Sequence, residues 1–271
     1  MRCAWQAGFV AALEGERPIR PYAILAVSAS SAVACAIVCR RLEFAVNCFK
    51  AAIESNKKKS YLSRVLRGDR VFPHAEIYRN ALLQVFDQAA LEKLYAGPDI
   101  KVLVTRTSAK LPRYPGLVIG LSLCAFQALR TRRGYRRFEA QFGFSGEFIP
   151  VKKCATPAEL ADLVLASSCT PPVTPWYSLH GRPVLDGGLC ESVPLSGLPE
   201  KHGKTLVLLT TKGTTINRSP GIVYAEPSQD LPIASWNYTD ASKIDYLYAL
   251  GKNDGSAFLE TTDMQQTFIN G

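Results

Sequence analysis

Tyr22-Ala23-Ile24-Leu25-Ala26-Val27-Ser28-Ala29-Ser30-Ser31-Ala32 is the stretch that decides the fold of this chain. Large apolar side chains run as far as Val27 and then give way to small residues. A further apolar, small-residue run leads to Arg40 and Arg41. Residues 22–27 read as a buried strand and 30–39 as a buried helix, with a sharp turn between them. Such a turn exposes a serine hydroxyl and aims the unpaired N–H groups of a helix N-terminus at the same point. The same serines suit a helix N-cap. From spacing alone, nucleophile and cap both remain open.

Two serines compete for the turn. The pattern small-x-Ser-x-small fits Ser28 through Ala26 and Ser30, and it fits Ser30 through Ser28 and Ala32. The end of the large apolar run at Val27 places the turn on Ser28. A serine hydroxyl at neutral pH needs a base within hydrogen-bond reach and donors for the developing oxyanion. One candidate partner lies far downstream, in Arg182-Pro183-Val184-Leu185-Asp186-Gly187-Gly188, where a short strand runs into Asp-Gly-Gly. Taken alone, that segment reads as an ordinary turn.

Around these segments helices and strands alternate. Residues 4–14 predict a helix stopped by Gly15, and further helices are expected at 44–53 and 76–86. Asp87 is placed to cap a helix ending near Gly97. Thr156-Pro157-Ala158-Glu159 has the form of a capping box with proline at the first helical position. Strands are expected at 100–106, 183–185, 205–210 and 221–225. A last amphipathic helix follows Thr239, with Gly251 as its stop. The pattern predicts an α/β fold with a mostly parallel sheet covered on both faces. No linker divides the chain, so residues 1–271 are expected to form one domain.

The chain carries a formal charge of +9, which suits an anionic partner. No nucleic-acid motif stands out, so a membrane surface is the favoured partner and nucleic acid is not expected. The apolar run 117–126 followed by Arg130, Arg132, Arg133, Arg136 and Arg137 fits lipid contact. It also fits a buried helix leading into a solvated basic loop, or a nucleic-acid patch. The eight cysteines include no CxxC pair, and no signal peptide is recognised. Reduced thiols in a cytosolic protein are therefore expected. Cys35 and Cys39 share a helix face and read as small buried hydrophobes, with no second pair at metal-site spacing. Residues 21–39 are uncharged and long enough to cross a bilayer. Three central serines and the shortage of large apolar side chains argue against that reading.

These segments together resemble the bacterial patatin-like phospholipases, over nearly the whole chain. Ala26-Val27-Ser28-Ala29-Ser30 stands where that family has Gly-x-Ser-x-Gly, and Asp186-Gly187-Gly188 where it has Asp-Gly-Gly or Asp-Gly-Ala. Ser167-Ser168-Cys169-Thr170-Pro171-Pro172 resembles the segment before the aspartate strand. Met1-Arg2-Cys3-Ala4-Trp5 resembles the end of the family's glycine-rich oxyanion loop. The resemblance implies a three-layer α/β/α sandwich and a Ser28–Asp186 dyad that hydrolyses phospholipid or other acyl-ester bonds through an acyl-enzyme. It implies an oxyanion site at Ala29, Arg2 and Cys3, and no metal or organic cofactor. Such a protein is expected in the cytoplasm, peripheral at the inner membrane face. A dyad agrees with the histidines: of His74, His180 and His202 only His202 follows Asp186, and it reads as a surface residue, as does His180. Two departures stand out. Alanine and serine replace the flanking glycines, and the first strand and leading glycines of the oxyanion loop are missing. A start codon placed too late is the expected cause, with a truncated, weakened product as the alternative. A silent lipid-binding protein and an acyltransferase are the competing readings.

Overall fold

The computed structural model describes residues 1–16, 18–56, 60, 71–106, 144–171, 173–200, 203–214, 219–233 and 238–261. The Lys57-Lys58-Lys59 run, the apolar and arginine-rich segment 117–137, Pro172 and His202 lie outside them.

Helix α1 (Cys3–Glu16) precedes β1 (Ala23–Val27), which turns sharply into α2 (Ser30–Cys39). Then come α3 (Leu42–Glu54), α4 (His74–Val85), α5 (Gln88–Ala96) and β2 (Asp99–Arg106). The described chain continues with β3 (Ser145–Pro150), α6 (Pro157–Ser167), β4 (Tyr177–Leu179), β5 (Arg182–Asp186), β6 (Thr205–Leu208), β7 (Ile222–Ala225) and α7 (Ser242–Glu260). The caps form where the sequence predicts them. Asp87 accepts the Ala90 N–H at 2.8 Å, and Thr156 accepts the Glu159 N–H at 3.2 Å. Glu159 reaches back to the Ala155 N–H, one residue ahead of the cap.

The fold is α/β, in keeping with a three-layer α/β/α arrangement. Its sheet is mixed: β1 joins β2 in parallel, and β3 and β5 join β2 antiparallel. β6 and β7 form a separate parallel pair among the described residues. The register on β2 has one consequence for the site. β3 covers Lys101–Arg106 along one edge of β2, so β1 and β5 must share the other edge end to end. β1 runs parallel and ends with Val27 opposite Leu103. β5 runs the other way and ends with Asp186 opposite Val104. The C-terminal ends of two strands from distant parts of the chain thus meet at one step of β2.

Side chains from α2, α4, α5, α6 and β2 form the main core, with Cys35 and Cys39 fully buried in it. A second cluster joins Trp5 and Phe9 of α1 to Leu247 and Leu250 of α7. Here two expectations fail. The first helix runs on through Gly15 to Glu16, and α7 runs through Gly251 to Glu260. Gly251 is no stop; it is a point of close helix contact. A Cβ there would lie 2.0 Å from the Trp5 carbonyl oxygen, and one on Gly8 would lie 2.0 Å from that of Tyr248. Glycine's low helix propensity is outweighed by the approach it permits. Gly251→Ala should therefore destabilise the protein by about 3 kcal/mol in urea unfolding, although alanine is the better helix former. Unchanged stability would show that the two helices can move apart without cost.

Residues 21–39, long enough to span a bilayer, are instead divided among β1, the turn and α2. Among the described residues no helix is long and apolar enough to cross a membrane.

Candidate active site

The turn after β1 holds Ser28 at φ +55°, in the left-handed region that costs a non-glycine residue about 1–3 kcal/mol. Ala29 then enters helical geometry at once, and the first bonds of the turn run from Ser31 N–H to Ser28 carbonyl and from Ala32 N–H to Ala29 carbonyl. The amides of Ala29 and Ser30 are among those a helix N-terminus cannot pair internally. Neither serine hydroxyl caps the helix. Ser28 Oγ donates to Asp186 Oδ2 at 2.8 Å, and Ser30 Oγ donates to Gln6 Oε1 at 2.6 Å. The cap reading of the serine cluster therefore fails, because both hydroxyls bond to side chains far away in sequence. It is Ser28, not Ser30, that meets the carboxylate.

Asp186 is the last residue of β5 and is nearly fully buried, 7 % exposed. Its backbone is held on both sides: its N–H donates to the Cys169 carbonyl at 2.8 Å, and its carbonyl accepts the Thr105 hydroxyl at 2.8 Å. Its other carboxylate oxygen, Oδ1, accepts the Gly188 N–H at 2.8 Å. Burial raises the carboxyl to a pKa of about 6, against the opposing pull of the Gly188 N–H and the Ser28 hydroxyl. Gly187 has no room for a side chain: a Cβ would stand 2.1 Å from the Leu103 carbonyl oxygen and 2.9 Å from Val27 Cγ2. Val27 and Ala26 supply the end of β1, and buried Ala26 shows that a methyl fits where the resembled motif has glycine.

β5 forms over the strand expected at 183–185; its partner β4, which completes the hairpin that delivers Asp186, carries no strand pattern of its own. The hairpin turn is His180-Gly181, both at positive φ (53° and 72°), so His180 is an exposed turn residue. The buried guanidinium of Arg106 bonds the carbonyls on either side of that turn, Leu179 at 3.0 Å and Arg182 at 3.1 Å. Arg106 is itself paired with Glu147 of β3 at 2.5 Å, which holds the Glu147 carboxyl below its ordinary value.

Arg2 and Cys3 line the same cavity as Ser28, Ala29, Asp186 and Gly188, a groove of about 1370 Å³ that extends along β1 and β6. The Arg2 side chain points to the far wall, donating to Thr211 Oγ1 at 3.3 Å and the Ile233 carbonyl at 3.4 Å. The first helical bonds of α1 start at the Ala4 and Trp5 amides, so the Arg2 and Cys3 amides precede them. Gln6 ties the groove together, accepting from Ser30 and donating to the Leu208 carbonyl at 2.8 Å. Neither Gln6 nor Ser167, whose hydroxyl accepts the Ser28 N–H at 2.7 Å, carries a local sequence signal of that contact. Among the described residues, no group of three or more His, Cys, Asp or Glu side chains is placed to hold a metal ion.

No curated protein matches the chain. A family model described as patatin-like phospholipase matches residues 1–198, a stretch that includes both Ser28 and Asp186. That span is nearly three quarters of the chain, and on it the chain belongs to the patatin-like phospholipase family.

Proposed function

We propose that this protein hydrolyses carboxylic esters of phospholipids, lysophospholipids or other acyl lipids, with Ser28 as nucleophile and Asp186 as the only general base. The observation that carries the reading is the 2.8 Å bond from Ser28 Oγ to Asp186 Oδ2 at a strained strand-to-helix turn. Ser28 Oγ attacks the ester carbonyl carbon as its proton passes to Asp186 Oδ2. The Ala29 N–H, with the amides of Arg2 and Cys3, receives the oxyanion. Collapse breaks the ester C–O bond, and the departing alcohol takes the proton from Asp186. Water then gives a proton to Asp186 and attacks the acyl carbon; collapse breaks the Ser28 Oγ–acyl bond, Ser28 Oγ takes the proton back from Asp186, and the fatty acid leaves. The groove along β1 receives the acyl chain, and residues 1–271 act as one unit. The +9 charge supports peripheral contact with an anionic membrane at the cytoplasmic face.

An alkyl fluorophosphonate tests this directly. Intact mass and peptide mapping should find a single phosphonylated residue, Ser28, in a protein that also hydrolyses p-nitrophenyl butyrate. The acid limb of kcat/KM should fall near pH 6, because Asp186 accepts a proton only when ionised and its pKa is about 6. A protein that neither takes the label nor turns over the ester overturns the hydrolase reading.

A further inference from the structure

We propose that Ser167 is a positioning residue for the Ser28–Asp186 pair, holding the nucleophile's backbone at the step of β2 where β1 and β5 meet. The proposal rests on the catalytic reading above. Ser167 is the last residue of α6 and is fully buried. Its hydroxyl uses both of its bonding modes on backbone. It accepts the Ser28 N–H at 2.7 Å and donates to the Leu103 carbonyl at 2.7 Å.

The Leu103 carbonyl is the fixed point of the site. Val27 lies opposite Leu103 and Asp186 opposite its neighbour Val104, so both strand ends stop beside this carbonyl. The Ser167 hydroxyl links that carbonyl to the Ser28 N–H, just past the end of β1. Gly187 packs against the same carbonyl from the β5 side, so closely that a Cβ would collide with it. Two residues further along, the Cys169 carbonyl takes the Asp186 N–H at 2.8 Å. One short segment, Ser167-Ser168-Cys169, therefore grips the backbone of both reacting residues.

The grip matters because Ser28 is strained. At φ +55° its backbone relaxes toward ordinary geometry unless neighbours hold it. Proton transfer needs the 2.8 Å contact between Ser28 Oγ and Asp186, and a displacement of about 1 Å can cost about a hundredfold in rate. Ser167 touches neither substrate nor the moving proton. Its effect runs through Ser28 alone.

The test uses the full chain with Ser167→Ala and with Ser167→Cys, which keeps the volume and weakens the bonding. Kinetics on p-nitrophenyl butyrate are measured from pH 5 to 9, and exchange of the Ser28 amide is followed by NMR. Each variant should lower kcat by about 10- to 100-fold with KM within about twofold. The acid limb should move to higher pH, because a displaced Ser28 hydroxyl no longer lowers the Asp186 pKa. A role in stability alone would leave that limb in place. The Ser28 amide should exchange at least about tenfold faster than in the parent protein. Wild-type kcat and acid limb in a folded variant would overturn the proposal, as would unaltered amide exchange. Should the parent protein lack esterase activity, the catalytic reading fails, while amide exchange, which needs no turnover, still decides whether Ser167 holds Ser28. If Ser167→Ala does not fold, Ser167→Cys decides.

Discussion

Ser28→Ala should leave a folded protein whose release of p-nitrophenol from a short acyl ester falls by about 10⁴-fold or more. Among the described residues, the substitution removes the one hydroxyl bonded to the Asp186 carboxylate, whose other oxygen takes only the Gly188 N–H. Ser30, the nearest substitute, is turned away to Gln6 at 2.6 Å. Activity persisting at even one hundredth of the parent level would move the nucleophile elsewhere. The fold should survive because alanine at position 28 keeps the same backbone, and its N–H still reaches Ser167. Alanine meets the same left-handed strain as serine, so the change in stability reflects one lost hydrogen bond, about 1 kcal/mol. Circular dichroism and a melting temperature within a few degrees of the parent separate chemical loss from unfolding.

Asp186→Asn should be nearly as damaging to turnover, by about 10³- to 10⁴-fold, yet it should stabilise the protein at neutral pH. An amide cannot accept the serine proton, although its oxygen still receives the Gly188 N–H. The stability gain follows from the raised pKa. The folded carboxyl titrates near 6, against an ordinary value of 3.8. Between those values the folded state holds a proton that the unfolded chain has released. Stability therefore falls as pH rises from about 4 to about 6, and the penalty persists above that range. Asparagine removes the charge and with it roughly 2–3 kcal/mol of that penalty. Urea unfolding at pH 8 should show the variant more stable than the parent, and at pH 3.5 the difference should vanish. A variant less stable at pH 8 would mean that the carboxylate is held by stronger contacts than Gly188 and Ser28 provide. Loss of activity joined to a gain in stability is the signature of a buried base kept for chemistry.

The local pieces of this site are legible in the chain itself. An apolar run ending at Val27 and a small-residue run beyond it read as strand, turn and helix, and they do so in three dimensions. Asp87 and Thr156 mark their helix starts because capping depends only on residues two or three positions away. Elements that depend on partners were hidden. β3 and the three-residue β4 have no strong strand pattern of their own; they form because β2 and β5 offer edges to pair with. Gly251 signals a helix stop in isolation and becomes a contact point only when α1 lies against it.

Residue type and short-range periodicity by themselves determined that this chain builds an α/β fold, which serine stands at the turn, and which aspartate heads a glycine pair. They do so because side-chain size, backbone preference and capping act over a few residues. Only the tertiary structure decided that β1 and β5 share one edge of β2, that their ends meet beside the Leu103 carbonyl, and that Ser167 links that carbonyl to the Ser28 N–H. Register between strands and the bonds of a buried hydroxyl are set by residues more than sixty positions apart, and no local preference encodes them.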